Sequence, residues 1–383
     1  MKKRTLWLLV VLPLLVALTY WLLPDYTRKA LIHRYADVDD HLIFTNDTVR
    51  ALHPHPLWHL PHQVPPPIGE EIMDSILEYR PLSFLVFHKD TLLYERYFDD
   101  HSATSISNTF SVSKSIVALL TAIALEQGYI SSLDDPVRQF LPEFTAESPG
   151  RALTVRHLLE MSTGLEYQEQ YTSPFGATTR SYYGSDIARQ MFDLGFREEP
   201  GNRYDYVGAG TQLLAMVVER ATGTTLASWA EKQLWGRIQA EHTALWSKDR
   251  SDGMVKAFCC FTATSRDLAR IGRLVCHDGI WNGDTLVNPE MIRLMTTPSA
   301  HLQHEGAPVD FYGLQWWIAD WQHYSVKYAR GIRGQYIITI PELQLIIVRL
   351  GHTRSDIYIG EHPSDLFLYI RTALRLISDQ TPE

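Results

Sequence analysis

The spacing of apolar and polar positions changes several times along the chain, and each change marks an element. Ser83 to His88 is mostly apolar, Lys89-Asp90 offers a turn, and Leu92 to Phe98 resumes with Tyr94 and Tyr97. That pattern predicts a β-hairpin. From Ser111 to Gln127 the chain is rich in Ile, Val, Ala and Leu, and Gly128 follows. The run is apolar almost all round, which predicts a central, buried helix. Thr154 to Met161 and Thr211 to Thr222 read as further helices. A third begins at Thr264, where Asp267 three residues on suits a capping box, and Leu268, Ile271 and Val275 keep helical spacing. Tyr312 to Asp320, Gln335 to Ile340 and Gln344 to Leu350 return to strand patterning, with a turn at Pro341-Glu342. Asp365 to Ile377 reads as a closing helix. Strands at both ends with helices between predict an α/β (α+β) fold: one antiparallel sheet built from both ends of the body, flanking helices and a mostly helical insertion.

The two ends of the N-terminal region differ from this body. Lys2, Lys3 and Arg4 precede an uncharged, mainly apolar run from Thr5 to Leu23. At about 1.5 Å per residue it is long enough for a hydrocarbon core of about 30 Å. Tyr20 and Trp21 suit a membrane interface, and no small-x-small cleavage site ends the run. This predicts a cytoplasmic tip at 1–4 and a transmembrane signal-anchor at 5–23, so that the N-terminal helix binds membrane and the catalytic domain is extracytoplasmic, on the periplasmic or cell-surface side. A cleaved signal peptide, giving a secreted protein, is the alternative. Residues 24–69 are rich in proline and carry His53, His55, His59 and His62. They read as a stiff, extended spacer, with metal binding as the competing reading. The body is then 70–378, its sheet part about 70–105 and 300–378 and its helical part about 106–299.

Composition narrows the function. The chain has 383 residues, 45% of them hydrophobic, which is ample for a sizeable core. A formal net charge of -9 excludes the basic surplus expected of a nucleic-acid binder. Three cysteines, Cys259, Cys260 and Cys276, make neither a disulfide scaffold nor a zinc pattern. They read as buried small apolar side chains, with a Cys276 disulfide to a neighbour as the alternative.

The candidate chemistry begins at Ser111-Val112-Ser113-Lys114. At the head of a helix, positions i and i+3 share a face, so the Lys114 amine can reach the Ser111 hydroxyl. A serine hydroxyl is a poor nucleophile until a base takes its proton. A buried lysine near a helix N-terminus can be that base, and the Ser111 backbone N–H can face a developing oxyanion. The motif alone also fits a helix cap beside a solvated lysine. The apolar helix that follows argues against solvation of Lys114, and no rival nucleophile elbow, zinc helix or phosphate loop occurs elsewhere.

Phe110 to Ser115 resembles the active-site helix of the serine β-lactamase, DD-peptidase and related esterase superfamily. Supporting stretches follow in the family's order. They are His157-Leu158-Leu159 with Met161 to Leu165, Pro200-Gly201 to Tyr206 with Gln212 to Leu214, Arg266 to Arg270, and Gly331 to Gln335 with Pro341-Glu342. The resemblance covers roughly residues 70 to 378. It implies that Tyr206 is the family tyrosine that shuttles the proton with Lys114, Tyr204 being the rival. It also implies that the Ile332 N–H is the second oxyanion donor beside that of Ser111. Two departures stand out. The usual Tyr-x-Asn reads Tyr206-Val207-Gly208, and the usual Lys-Thr-Gly or His-x-Gly reads Ala329-Arg330-Gly331. Gly331 still allows close backbone approach. Arg330, Arg333 and Arg349 offer charge instead, or pair on the surface. This pattern is closest to the branch that includes 6-aminohexanoate-dimer hydrolase and carboxylesterases.

The resemblance implies a hydrolase without metal or organic cofactor, cleaving a small-molecule ester or linear amide through an acyl-enzyme on Ser111, with Gly331, Arg330 and Gly208 at the substrate. The other reading is a non-hydrolytic sensor or scaffold that keeps the penicillin-recognising fold outside the cytoplasm, motivated by Gly208 and Ala329.

Overall fold

A computed structural model describes residues 2–58, 67–144 and 148–378, without the side chains of 2–6, 8–10 and 148–149. Its main sheet has six antiparallel strands drawn from both ends of the body. Their order across the sheet is Trp317–Trp321, Tyr324–Gly331, Gln335–Ile340, Leu345–Gly351, Pro81–His88 and Thr91–Tyr97. The fold class expected from the pattern is therefore the one observed. Lys89 and Asp90, at φ 49° and 59°, both take the left-handed conformation that a two-residue hairpin turn requires. The expected strand Tyr312 to Asp320 is shorter than its apolar pattern, because Tyr312 makes only an isolated bridge to Trp317. The strand Tyr324–Gly331 has no clear signal in the pattern, because Lys327 and Arg330 interrupt its alternation.

Alternation across the sheet separates two cores. Leu85, Phe87, Ala329, Ile337, Ile346 and Val348 share one buried cluster with the helix Val112–Glu126 and with Ser265–Cys276. Their neighbours Phe84, Val86, Tyr328, Tyr336, Ile338 and Ile347 face the closing helix Ser364–Ser378 and Glu70–Leu77. The four central strands are thus covered on both faces, which is why most of them read as apolar runs. The helix Val112–Glu126 lies inside the first cluster, as its all-round apolarity predicts.

Several caps match their sequence signals. Thr154 caps Val155–Leu159, and Gly223 ends Gly208–Thr222 at φ 69°. The Thr264 hydroxyl accepts from the Asp267 N–H. The Asp267 carboxylate does not complete a capping box, however. It takes the Thr264 hydroxyl and the backbone N–H groups of Glu241 and His242.

Part of the stretch expected as a spacer, 24–69, is built into the body. Asn46–Val49 is the edge of a second antiparallel sheet, followed by Ala244–Ser247, Phe261–Thr264 and Ile106–Asn108. The Asn108 N–H donates to the Val38 carbonyl at 2.8 Å, and the Tyr182 hydroxyl to Asp40 at 2.7 Å. The proline and histidine content that suggested a spacer belongs to 53–67, and of its histidines His59 and His62 lie outside the described residues. Among the described residues no group of three or more His, Cys, Asp or Glu is placed to hold a metal ion.

The N-terminal run does form a helix, Lys2–Leu22, carrying Pro13. Among the described residues no helix is long and apolar enough to cross a membrane, so the structure does not support the expected anchor. Part of the apolar run lies among the side chains outside the description.

Candidate active site

The site begins where the chain turns into the buried helix. Phe110 takes φ 48°, rare for a bulky residue and costing of order 1 kcal/mol or more. Its N–H is held by the Asn108 side chain at 3.0 Å, and its ring is buried. This turn puts Ser111 at the N-cap of Val112–Glu126, 9% exposed. One turn on, Lys114 is 1% exposed, and its Nζ donates to Ser111 Oγ at 3.0 Å and to the Phe258 carbonyl at 2.7 Å. The pairing read from S-x-x-K is therefore present, and Lys114 is not a solvated surface lysine.

The Phe258 carbonyl comes from the loop before Phe261–Thr264. Cys259 and Cys260 follow it and are joined by a disulfide, while Cys276 is buried and free. This corrects the expectation of three buried thiols. Adjacent cysteines met each other, a pairing that spacing arguments between distant cysteines do not consider. The Phe261 N–H donates to Ser113 Oγ at 3.0 Å, tying this loop to the nucleophile's helix.

Tyr206 stands half-buried at the same cleft, its ring 5.1 Å from Lys114 Nζ and packed on Tyr312 and Trp317. The lysine meets the ring face; hydroxyl contacts of this kind often tighten only with substrate bound. Tyr204 is buried in an aromatic cluster with His304, Phe311 and Tyr312 and does not line the cleft at Ser111. The geometry thus brings Tyr206, not Tyr204, to the cleft.

Opposite Ser111 runs the end of Tyr324–Gly331. A Cβ on Gly331 would lie 2.2 Å from the Thr109 carbonyl, so the glycine permits the strand to press against the segment leading to Ser111. The next residue, Ile332, opens a short 3-10 turn, Ile332–Gly334. Among the described residues the backbone N–H groups of Ser111 and Ile332 have no hydrogen-bond acceptor. Both residues line the same cleft.

The three arginines part company. Arg330 stacks on Trp317, 3.3 Å from the ring centroid, donates to the Glu361 carbonyl, and lines the cleft. Arg333 donates to the Ala36 and His352 carbonyls at 2.7 and 3.1 Å. Arg349 is fully buried and binds the carbonyls of Arg333, Gly334 and Thr353. Arg333 also pairs with the exposed Asp37 at 3.8 Å, the surface-partner reading, whereas Arg349 is neither a surface partner nor a free charge. Ala329 faces the first core cluster and offers the cleft nothing.

Gly208 begins the helix Gly208–Thr222, and its N–H donates to Glu169 Oε2 at 2.8 Å. A Cβ there would lie 3.2 Å from Phe258 Cβ and 3.3 Å from Glu169 Oε2. A side chain there would have to push both neighbours back by a few tenths of an ångström. Glu169, Tyr171, Phe258 and Arg354 were missed beforehand, because loops without periodicity give no signal of where their side chains converge.

Two cavities meet at Ser111. One, of about 210 Å³, is walled by Phe110, Tyr171, Tyr182, Tyr183, Phe258 and Ile332, with Arg34 to Ala36 closing one side. The other, of about 260 Å³, is lined by Tyr206, Arg330, Gly331, Ile332 and Arg354. Ser111, Glu169 and Tyr171 border both.

Comparison with known proteins agrees with this layout. The family model "Beta-lactamase" matches residues 71–357. The chain is 27% identical over 285 residues to the 6-aminohexanoate-dimer hydrolase of Paenarthrobacter ureafaciens, covering 70% of this chain and 72% of that one. A solved Bacillus anthracis structure assigned as a 6-aminohexanoate-dimer hydrolase superposes with a TM-score of 0.76 at 19% identity, covering 95% of this chain and 97% of that one. A family VIII carboxylesterase superposes at 0.62 and 15% identity, covering 82% and 99%. The structural likenesses speak for the fold.

Proposed function

The chain belongs to the beta-lactamase family, and within it we propose a serine hydrolase that cleaves a small ester or linear amide through an acyl-enzyme on Ser111. One observation carries the reading: Lys114 Nζ lies 3.0 Å from Ser111 Oγ at the head of a buried helix, facing a cleft. A hydroxyl so placed can lose its proton to the amine as it attacks a carbonyl carbon. The N–H groups of Ser111 and Ile332 then receive the oxyanion, and Tyr206 with Lys114 returns a proton to the leaving group. Water cleaves the acyl-enzyme by the same route. Hydrolase relatives support the class of reaction.

Treatment with a fluorophosphonate probe followed by peptide mass spectrometry tests this. The adduct is expected on the peptide containing Ser111. Labelling of another serine with Ser111 free overturns the mechanism. No labelling at all favours the sensor reading.

We also propose that the catalytic body works outside the cytoplasm. The basic tip followed by an apolar run supports it, and so does the Cys259–Cys260 disulfide, since disulfides persist mainly in oxidising compartments. Protease accessibility in intact cells or spheroplasts checks it; full protection until lysis would count against it.

A further inference from the structure

Lys114 owes its direction to a peptide bond that lies next to a pair of sulfurs. Among the described residues its Nζ has two hydrogen-bond partners, Ser111 Oγ and the Phe258 carbonyl. The first is the group it acts on. The second, at 2.7 Å, holds the amine in place while the serine proton is taken. That carbonyl belongs to the peptide joining Phe258 to Cys259, so a change in the backbone of Cys259 is felt at this acceptor.

The chain is anchored on either side of the cysteine pair. Before it, the Ala257 N–H donates to the Gln212 side chain at 2.9 Å. After it, the Phe261 N–H donates to Ser113 Oγ at 3.0 Å. Between these anchors Cys260 takes φ 71°, the left-handed conformation that favours glycine over any residue with a Cβ. The Cys259–Cys260 disulfide closes a small ring that contains the Cα–C bond of Cys259 and the N–Cα bond of Cys260. While the ring is closed neither bond rotates freely, and the unfavourable φ is held. Opening the ring frees both.

The pair is within reach of a small molecule. Cys259 lines the aromatic cavity beside Ser111, whereas Cys260 is fully buried and lines neither cavity. A thiolate small enough to enter the cavity therefore meets the bond at Cys259. Cys276 is buried and free, lines neither cavity, and has its thiol pushed up to about 12 by burial. It takes no part in exchange near neutral pH.

We propose that the Cys259–Cys260 disulfide positions Lys114 through the Phe258 carbonyl and is a redox switch on the site, which turns over with the pair oxidised and is slowed with it reduced. This rests on the serine hydrolase reading above. A thiolate of a small dithiol bonds to Cys259 Sγ, the S–S bond breaks, and its electron pair leaves on Cys260 Sγ, which takes a proton. The dithiol's second sulfur gives up its proton and displaces Cys259 Sγ, which takes a proton in turn. The protein gains two electrons and two protons, and the dithiol, now a cyclic disulfide, loses them. The reverse exchange, with an oxidised dithiol, closes the pair again. The device confines full turnover to an oxidising compartment, where disulfides persist.

Reduction of the full chain tests this. The protein is treated with dithiothreitol, freed of it by gel filtration without air, and assayed on p-nitrophenyl acetate. Iodoacetamide labelling after denaturation follows the thiols: Cys276 alone should label before reduction, and Cys259 and Cys260 as well after it. On reduction kcat is expected to fall about tenfold to a hundredfold, as for a reacting group displaced by about 1 Å, with KM little changed. Reoxidation with diamide should restore it. The rate of fluorophosphonate addition to Ser111 should fall and recover in step. Cys260→Ser is expected to show the low kcat from the outset and no response to dithiothreitol, while Cys276→Ser responds as the unaltered protein does. Where Cys260→Ser fails to fold, reduction of the unaltered protein decides. An unchanged kcat with Cys259 and Cys260 both labelled overturns the proposal, and so does a native pair that dithiothreitol cannot reduce. A lower Tm or a higher KM with kcat unmoved makes the disulfide a prop for the fold or the cavity wall, and overturns it too. No turnover and no Ser111 adduct in the oxidised protein removes the hydrolase reading, and the switch falls with it.

Discussion

The Arg349 guanidinium donates to the Arg333 carbonyl at 2.8 Å and to the Gly334 carbonyl at 2.6 Å from a fully buried position. It thereby holds the turn whose first residue, Ile332, lines the cleft and is proposed to donate its N–H to the oxyanion. A second tie comes from the Gln335 side chain, which donates to the Ile332 and Gly351 carbonyls. Arg333 itself sits at φ 62°, an unfavourable conformation that needs such support. Arg349→Lys keeps the charge but loses the planar fork. Turnover is expected to fall about tenfold to a hundredfold, as for other displacements of a reacting group by about 1 Å, with little change in KM. An unchanged kcat in a variant that still folds would show that the turn does not depend on Arg349.

Lys114→Ala and Tyr206→Phe are each expected to lower kcat by about 10²–10⁴, the usual worth of general acid–base help. Tyr204→Phe supplies the contrast. Its hydroxyl is buried without a partner, so removing it leaves the cleft untouched and relieves an unsatisfied group. If Tyr204→Phe is the inactive variant and Tyr206→Phe the active one, the roles assigned here are reversed.

The enzyme is expected to hydrolyse a short-chain p-nitrophenyl ester faster than nitrocefin on the same preparation. A β-lactam brings an acylamido group that relatives meet with the asparagine of Tyr-x-Asn, and position 208 has no side chain to offer. The structure adds that Gly208→Asn will not repair this. Its Cβ alone would come within 3.2–3.3 Å of Phe258 and Glu169, so the substitution should cost stability without raising nitrocefin turnover. Nitrocefin cleaved as fast as the ester, or rescued by Gly208→Asn, would refute the argument.

How far the sequence reaches is visible in these same residues. Ser111 and Lys114 were legible because helix geometry alone makes i and i+3 neighbours. The buried helix, the hairpin at Lys89-Asp90 and the cap at Thr264 were legible because each is a local rule. What was not legible is long-range. Glu169 reaches Gly208 across 39 positions, and Arg349 reaches Tyr79 across 270. Arg330, Arg333 and Arg349 look alike in the sequence. Their fates diverge because alternate strand positions face different layers and because a turn intervenes. Ala36 and Val38 gave no signal of any kind, since a short irregular segment becomes part of a wall only through what it packs against.

Lys256 provides a test of stability. Its side chain is fully buried, its Nζ has no hydrogen-bond partner, and the ring centroid of Phe44 lies 3.0 Å away. Burial pushes its pKa well below the ordinary 10.5; Asp249 and Asp40 oppose the shift and Lys29 adds to it. The unfolded chain therefore binds more protons than the folded one between the two values, and stability attributable to this group rises with pH. The penalty is full below the folded pKa and gone above about 10.5. Lys256→Met should then raise Tm at pH 7, and the gain over the parent should shrink as pH approaches 10.5. A gain that is constant across that range would mean that burial does not lower the pKa of Lys256 in the fold.

The N-terminal boundary of the catalytic body is the last point open to direct test. Asp25–His33 packs on Ala177–Tyr183, with His33 stacked on Tyr183 and Thr27 and Ala30 buried. The chain then passes Arg34 to Ala36, which wall the aromatic cavity, and the Ala36 carbonyl takes the Arg333 guanidinium. Beyond it, Val38 and Asp40 hold Asn108 and Tyr182, and Asn46–Val49 completes the smaller sheet. Among the described residues nothing before residue 25 lines either cavity. Deleting residues 1–24 should leave ester turnover and Tm close to those of the full chain. Deleting residues 1–44 removes one wall of the aromatic cavity, one of the carbonyls that steady Arg333 beside Ile332, and the partner of the Tyr182 hydroxyl. Leaving the buried Tyr182 hydroxyl without Asp40 costs about 1–3 kcal/mol, and Arg333 keeps only the His352 carbonyl, so Tm should drop by several degrees. Loss of the wall should lower kcat/KM for a hexanoyl ester more than for an acetyl ester, because only the longer chain reaches it. Comparable loss for both esters would mean that the segment supports the fold but does not shape the cavity, and full activity of the shorter protein would place the segment outside the catalytic body.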